Sequence, residues 1–316
     1  MSEKLFIRPA REDEYEFIRH NMYESIPESS GYLYKRADLR EKDVVYGDFY
    51  DSIRRGDRII IAELSGKVLG YSHYGVSSES NVFCSGRHGH LFDLYVFPQY
   101  RRKGIASQLL FEAEEWLKNL GIDHLTAVTS KNTSAWSFLV SKGFVTVRSY
   151  LKLDIEDFIP IENVMDTCTV SRDELFVFSE PLSMELKLNE HRFSECSLSE
   201  LMYALGKILN EGANLVVVGG ERPIGFAIYS IFDDILTRKR LGFIEFLYIL
   251  PEFRKHGAGK ALLSHICRTM RGDLVEEVYT EAPIKGAYFE FLKKFGFEGF
   301  SFWLQKDFNR PEHSFQ

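Results

Sequence analysis

"QYRRKGIASQLL", residues 99–110, follows the apolar run "HLFDLYVFP", residues 90–98. Farther along the chain, "EFRKHGAGKALL", residues 252–263, follows "FIEFLYILP", residues 243–251. Each pair reads as a strand, a basic glycine-centred loop and a helix. Aligned without gaps, "DLYVFPQYRRKGIASQLL" (93–110) and "FLYILPEFRKHGAGKALL" (246–263) share Leu, Tyr, Pro, Arg, Gly, Leu and Leu at an offset of 153 residues. "FLVSKGF" (138–144) and "FLKKFGF" (291–297) match at the same offset, and "IIIAELSGKVLGYSHY" (59–74) parallels "NLVVVGGERPIGFAIY" (214–229) at 155. A near-constant offset over three blocks means two copies of one domain, because solenoid repeats are far shorter.

The 316 residues suffice for two ordinary domains, and 45% apolar with 27% charged residues is globular composition. A net charge of −7 argues against a nucleic-acid partner and mildly favours cationic substrates. Cys84, Cys168, Cys196 and Cys267 form no CxxC pair, which fits a reducing cytoplasm and excludes a cysteine zinc site of usual spacing; no metal site is expected. Residues 1–30 lack the apolar core of a signal peptide, and no stretch approaches the roughly 20 apolar residues of a membrane span. A cytoplasmic protein with no membrane partner is expected.

Within each copy the order is the same. A hairpin-like run turns near Ser65-Gly66 or Gly220-Glu221. The apolar strand, the basic loop and a helix follow; Ile105, Leu109, Ala113, Trp116 and Leu117 recur at helical spacing. A further strand, a short helix ending at Gly143 or Gly296 and a last strand complete the copy. The pattern predicts an α/β fold with mixed strand directions. The copies are expected at 1–154 and 184–316, joined by 155–183, with a shortened front in the second. That front holds one clear helix, Ser199–Leu209, capped by Ser197 or Ser199.

The two loops are Arg101-Arg102-Lys103-Gly104-Ile105-Ala106 and Arg254-Lys255-His256-Gly257-Ala258-Gly259. Small residues allow close backbone approach, and the free N–H groups and positive dipole end of the following helix suit a diphosphate. The flanking Arg and Lys add charge-assisted bonds, with Ser107 or Lys260 as a further donor. Neither loop is GxxxxGK[ST], and neither is GxGxxG with the required acidic residue downstream, so "GAGK" at 257–260 is not a Walker loop.

At these residues the sequence resembles the GCN5-related N-acetyltransferase superfamily. "IRPAREDEYEFI" (7–18) is similar to its opening strand and helix, and "LYVFPQYRRKGIA" and "LYILPEFRKHGAG" to its acyl-CoA diphosphate motif. "NTSAWSFLVSKGF" (132–144), beginning at Asn132, is similar to its later motif; "YFEFLKKFGF" (288–297) is a weaker version, with Lys at 285 in place of Asn. The resemblance implies two tandem domains. Each would be a mixed, mostly antiparallel sheet flanked by helices, with parallel strands splayed in the middle to receive acetyl-CoA. The pantetheine would pair with the strand before the loop, and a backbone N–H near Leu94, Tyr95 and Val96, or near Leu247 and Ile249, would face the oxyanion. The implied reaction is direct acetyl transfer to a primary amine, most simply a small molecule.

Relatives place a proton-accepting Glu or His on that strand. Fourteen positions before the motif glycine stands His90 in copy one, and twelve before stands Glu245 in copy two; these are the candidate bases. Asp93, by strand alternation, is expected to face away from Phe92 and to hydrogen-bond neighbouring loops. Many relatives carry a thiolate-protonating Tyr where this chain has Leu139 and Leu292, so the general acid is open. Tyr288, one turn before Leu292, is a weak substitute. Copy one, with Asn132 and the longer front, is the better equipped. The alternative reading is a non-catalytic acyl-CoA-binding sensor or scaffold.

Overall fold

The structure is a computed structural model that describes residues 5–25, 49–77, 87–130, 133–159, 165–188, 197–234 and 237–309. The first half runs β1 (Phe6–Pro9), α1 (Glu12–Ser25), a helix described over 49–55 (α2), β2 (Arg58–Leu64), β3 (Lys67–Ser77), β4 (His88–Val96), α3 (Ile105–Asn119), β5 (His124–Ser130), α4 (Ser134–Ser141) and β6 (Val145–Asp154). The second runs β7 (Thr167–Val170), α5 (Ser179–Leu188), α6 (Leu198–Asn210), β8 (Asn214–Val218), β9 (Gly225–Asp233), β10 (Arg240–Ile249), α7 (Ala258–Gly272), β11 (Glu277–Pro283), α8 (Ala287–Phe295) and β12 (Glu298–Asp307). The fold is mixed α/β with the same order of elements in both halves, as the repeat predicts. Helix α6 begins on the expected cap: Ser197 and Glu200 form a reciprocal capping box.

Strand alternation sorts the cores. In β2, Ile60 and Ala62 join the cluster under α3 and α4, while Ile59 and Ile61 face the opposite cluster with Ile18 of α1 and Phe49 of α2. Helix α3 buries Ile105, Leu109, Ala113 and Leu117, the positions the helical spacing marks. In the second half one cluster lies under α7 and α8, and another under α5 and α6.

The halves do not keep separate sheets. One sheet runs β1-β2-β3-β4-β5-β12-β6-β11-β10-β9-β8-β7. Strand β12, from the end of the chain, fills the place between β5 and β6; β6, from the first half, pairs with β11 of the second. The exchange is symmetric under the sequence offset. Ser130↔Ser301 in one pairing maps onto Pro283↔Arg148 in the other by adding 153 and exchanging roles, and Ser149↔Phe302 at the β6–β12 join maps onto itself. A local two-fold axis therefore passes between Ser149 and Phe302.

The exchange is also an exchange of core residues. Leu304 of β12, fully buried, packs in the first half's cluster, and Leu151 and Leu153 of β6 pack in the second's. Lys306 of β12 grips Glu114 of α3 with both carboxylate oxygens, at 2.7 and 2.8 Å. Residues 155–183, read from sequence as a connection, hold ordered elements that belong by packing to the second half. Ile155 and Phe158 lie in its core, and Arg271 donates to both their carbonyls. A 3-10 segment, Arg172–Phe178, buries Leu175 and Phe178 beneath β8 and β9.

The mutation Leu304→Ala tests the exchange. It is expected to cost about 2–5 kcal/mol, the usual range for a buried leucine, in one cooperative denaturant transition that also reports loss of the first half's structure. A loss confined to signals from the second half would contradict the shared core.

Candidate functional site

In both halves the strand before the basic loop pairs with its parallel neighbour only at its beginning. Strand β4 pairs with β5 from Gly89↔Leu125 to Leu91↔Ala127, and β10 with β11 from Leu241↔Glu277 to Ile244↔Thr280. Beyond those points the strands part. A β-bulge marks the parting in each: the register with the antiparallel neighbour slips at Phe92 in β4 and at Glu245 in β10.

In the first half the parting opens a cleft of about 1100 Å³. Its lining includes Leu94, Tyr95 and Val96 of β4, then Arg101, Arg102, Gly104, Ile105, Ala106 and Ser107 of the loop and first helical turn. Opposite stand Val128, Thr129 and Ser130 of β5 with Ala135, Phe138 and Leu139 of α4. Met22, Phe49, Ser52, Arg55 and His73 line the remaining part, together with Phe92 and Asp93. These last residues lie on the α1–α2 face of the sheet and α4 on the other, so the cleft passes through the sheet.

The loop has the geometry expected of an anion cradle. Arg102 and Gly104 both adopt positive φ, 64° and 79°, and their counterparts Lys255 and Gly257 repeat this at 65° and 97°. A Cβ at Gly104 or Gly257 would meet nothing within 4 Å, so both turns face open space. The first arginine of each loop has a structural task. Arg101 Nε donates to the Val96 carbonyl at 2.8 Å and its guanidinium lies over Tyr95; Arg254 Nε donates to Ile249 at 3.0 Å and lies over Tyr248. The recurrent Tyr and Arg of the repeat thus tie each loop to its strand. Lys103 is exposed, lies near the Tyr100 ring and is not among the lining residues. Asn132 lies outside the described residues.

The second half departs from the first. Strand β10 is buried along most of its length, with Leu247 and Ile249 inside the hydrophobic core, whereas β4 is half-buried from Phe92 to Tyr95. Tyr288, at the position of Ala135, and Phe291 of α8 pack onto that core. The Phe291 ring lies 3.2 Å from where a Cβ on Gly259 would stand. Ala258 is buried, while Lys255, His256 and Lys260 remain exposed. Ser130 is replaced by Pro283, which has no N–H to offer. The loop is preserved there, and Tyr288 adds an aromatic ring where the first half has Ala135.

The candidate bases are placed as follows. His90 sits where β4 and β5 are still paired, outside the cleft lining. Its Nδ1 lies 2.8 Å from Thr126 Oγ1, and that hydroxyl donates to the Gly89 carbonyl, so Nδ1 carries the proton. Phe92 and Trp303 enclose the ring. Burial, helped by nearby His88, lowers its pKa to about 4, so it is neutral. Glu245 stands at the bulge of β10 and accepts a 2.7 Å hydrogen bond from Ser230. Glu281, ion-paired to Arg148 from β6, is its acidic neighbour; burial raises the Glu281 pKa, with Arg148 opposing. Neither expected base stands among the residues that line the cleft.

Asp93 does. Alternation alone turns it away from Phe92, but the bulge at Phe92 breaks the alternation and both residues line the cleft. Burial lifts the Asp93 pKa to about 6, and the neighbouring Tyr71 hydroxyl and Leu94 N–H offset only part of this. The sequence signal was a lone carboxylate in an apolar strand.

Solved structures similar to this chain agree with it in fold. A GCN5-related N-acetyltransferase from Sphaerobacter thermophilus aligns with a TM-score of 0.63 at 14% identity, covering 97% of this chain and 96% of that one. A tandem GNAT protein from the clavulanic acid biosynthesis pathway aligns at 0.57 and 17%, covering 98% and 100%. The GCN5-related glucosamine N-acetyltransferase region of a fungal multi-domain β-N-acetylglucosaminidase aligns at 0.62 and 15%; the match covers 96% of this chain but spans only 38% of that protein's chain. A comparison with curated proteins gave no match. The model of the acetyltransferase (GNAT) family matches twice, over residues 19–144 and 182–297. With both halves matched, and with a strand–loop–helix cradle beside parting parallel strands in each, the chain belongs to the GNAT acetyltransferase family.

Proposed function

We propose that the chain is an acetyl-CoA-dependent N-acetyltransferase acting on a small primary amine, with the first half's cleft as its one working site. The observation that carries this reading is the coincidence, in one cleft, of an open diphosphate cradle at Gly104 and a half-buried carboxyl, Asp93, with proton affinity near neutrality.

The residues present fit acetyl-CoA. The N–H groups of Gly104 to Ser107 begin a helix and have no acceptor within it, so they suit the diphosphate. Beyond Leu91 the β4 main chain has no parallel partner and is available to the pantetheine amides. Acetyl-CoA supplies, when bound, a thioester whose carbonyl carbon takes the amine nitrogen while its C–S bond breaks to free the thiol. Asp93 accepts the proton that a protonated amine must lose before it can attack. Phe49, Phe92 and His73 wall the amine's side of the cleft, where low water content strengthens each hydrogen bond. Leu139 lines the cleft and has no proton to give, so the thiol's proton comes from solvent. The second half, with Tyr288 where the first has Ala135, serves the first by supplying β12.

Titration calorimetry is expected to find one coenzyme A per chain and no binding to Gly104→Glu; two sites per chain would overturn the assignment to one half. In a thiol-release assay with acetyl-CoA and an amine panel, kcat/KM for the amine is expected to fall as pH drops through about 6. A carboxyl with raised pKa is protonated, and lost as a base, below that value. Asp93→Asn is expected to lower kcat/KM roughly 100-fold, within the range of general-base catalysis, and to remove that step from the profile. Coenzyme A binding without thiol release from any amine would instead favour a non-catalytic acyl-CoA sensor, the reading that the leucine at 139 supports.

A further inference from the structure

Behind the cleft wall lies a second polar chain, separate from Asp93. His73, on β3, is only 3% exposed, and Ser52, on α2, is also 3% exposed. His73 Nε2 and Ser52 Oγ are 2.6 Å apart. Asp57, nearly buried, hydrogen-bonds to the Ser52 side chain, and its backbone N–H bonds to the Ser52 carbonyl at 3.1 Å. The carboxylate rests on Gly75 of β3: a Cβ there would stand 1.8 Å from Asp57 Oδ1, so any other residue would evict it. Such a fit holds one orientation of the chain Asp57–Ser52–His73.

The orientation fixes where the protons are. Burial raises the Asp57 pKa, while the Ser52 hydroxyl and the Arg55 charge oppose the rise; the ionised carboxylate only accepts, so Ser52 spends its hydroxyl proton on it. Ser52 Oγ can then only accept from His73, which puts the ring proton on Nε2 and leaves Nδ1 with a lone pair. Among the described residues that Nδ1 is buried and has no hydrogen-bond partner. A buried acceptor left empty keeps its full desolvation penalty, which calls for an explanation. The His73 side chain lines the cleft, directly across the β3–β4 pairing from Asp93, with Phe92 and Phe49 against its ring. The charged or titratable groups acting on it are His90 and Arg55, and burial keeps it neutral, with its pKa lowered to about 3.

We propose that His73 is a further acceptor-site residue: its Nδ1 receives an N–H of the amine substrate, while Ser52 and Asp57 are positioning residues that fix the tautomer able to do so. This rests on the amine-acetylating reading of the same cleft. It adds a requirement for substrates: the nucleophile carries at least two N–H bonds, one for His73 and one for Asp93, so primary amines qualify and tertiary ones do not.

The test reads the tautomer directly. In ¹⁵N-labelled full-length protein, long-range ¹H–¹⁵N spectra, assigned by loss of the signal in His73→Gln, are expected to show Nδ1 unprotonated. Asp57→Asn keeps the shape but lets the amide donate to Ser52, which then donates to Nε2, so the proton is expected to move to Nδ1. With coenzyme A present, n-butylamine, spermidine or L-lysine is expected to shift the Nδ1 signal of wild type and not of Asp57→Asn. Both Asp57→Asn and Ser52→Ala are expected to raise KM for the amine about tenfold and leave KM for acetyl-CoA unchanged, the loss of one hydrogen bond. A proton on Nδ1 in the wild type, an unchanged tautomer in Asp57→Asn, or an Nδ1 signal that none of the three amines moves would overturn the proposal. If the amine moves the Nδ1 signal but no thiol is released, acetyl transfer fails as the function and the amine site stands.

Discussion

Two parallel strands that part after a few residues stop bonding to each other, and the rest of the first half is arranged around that parting. The pairing of β4 with β5 stops at Leu91 and Ala127. The bulge at Phe92 turns the strand at the same place, so one irregularity both ends the ladder and brings Phe92 and Asp93 to the opening. The loop that follows is held back against the strand by Arg101, bonded to Val96 and stacked over Tyr95, so that Gly104 stays at the mouth.

The two halves keep the same frame around that parting and differ in what stands beside it. The loops are superposable in φ, the arginines make the same bonds, and the bulges stand at the same offset. The differences are small in number. Ala135 becomes Tyr288, Ser130 becomes Pro283, and Glu245, bonded to Ser230, occupies the bulge where Phe92 stands. Arg148, delivered by β6 of the other half, pairs with Glu281 beside it.

Much of this was legible in the sequence because it depends on local pattern. The repeat, the strand–loop–helix order, the buried face of α3 and the cap at Ser197 follow from spacing and residue type within a few turns of chain. What was not legible depends on register and on distance. A bulge shifts side chains by one position without a clear mark in the residues, and Asp93 was read on the wrong side for that reason. His90, chosen by its spacing from Gly104, proved to lie one pairing step short of the opening, closed in by Trp303 from β12. Ser52, Asp57, His73 and Gly75 come together only through tertiary packing of α2 on β3, and no short motif links them. The exchange of β6 and β12 is invisible to any reading that treats each copy alone.

That exchange sets a timetable for the nascent chain. Strand β5 emerges from the ribosome long before its neighbour β12, which is almost the last ordered element to be made. Until residues 298–307 arrive, the first half carries an open strand edge and a hole in its core where Leu304 belongs. Closing them joins segments some 170 residues apart in sequence, the kind of distant pairing that slows folding. Completion of the first half's sheet and core is thereby deferred until β12 has been made, so a chain that stops short of residue 298 leaves β5 and β6 without the strand between them.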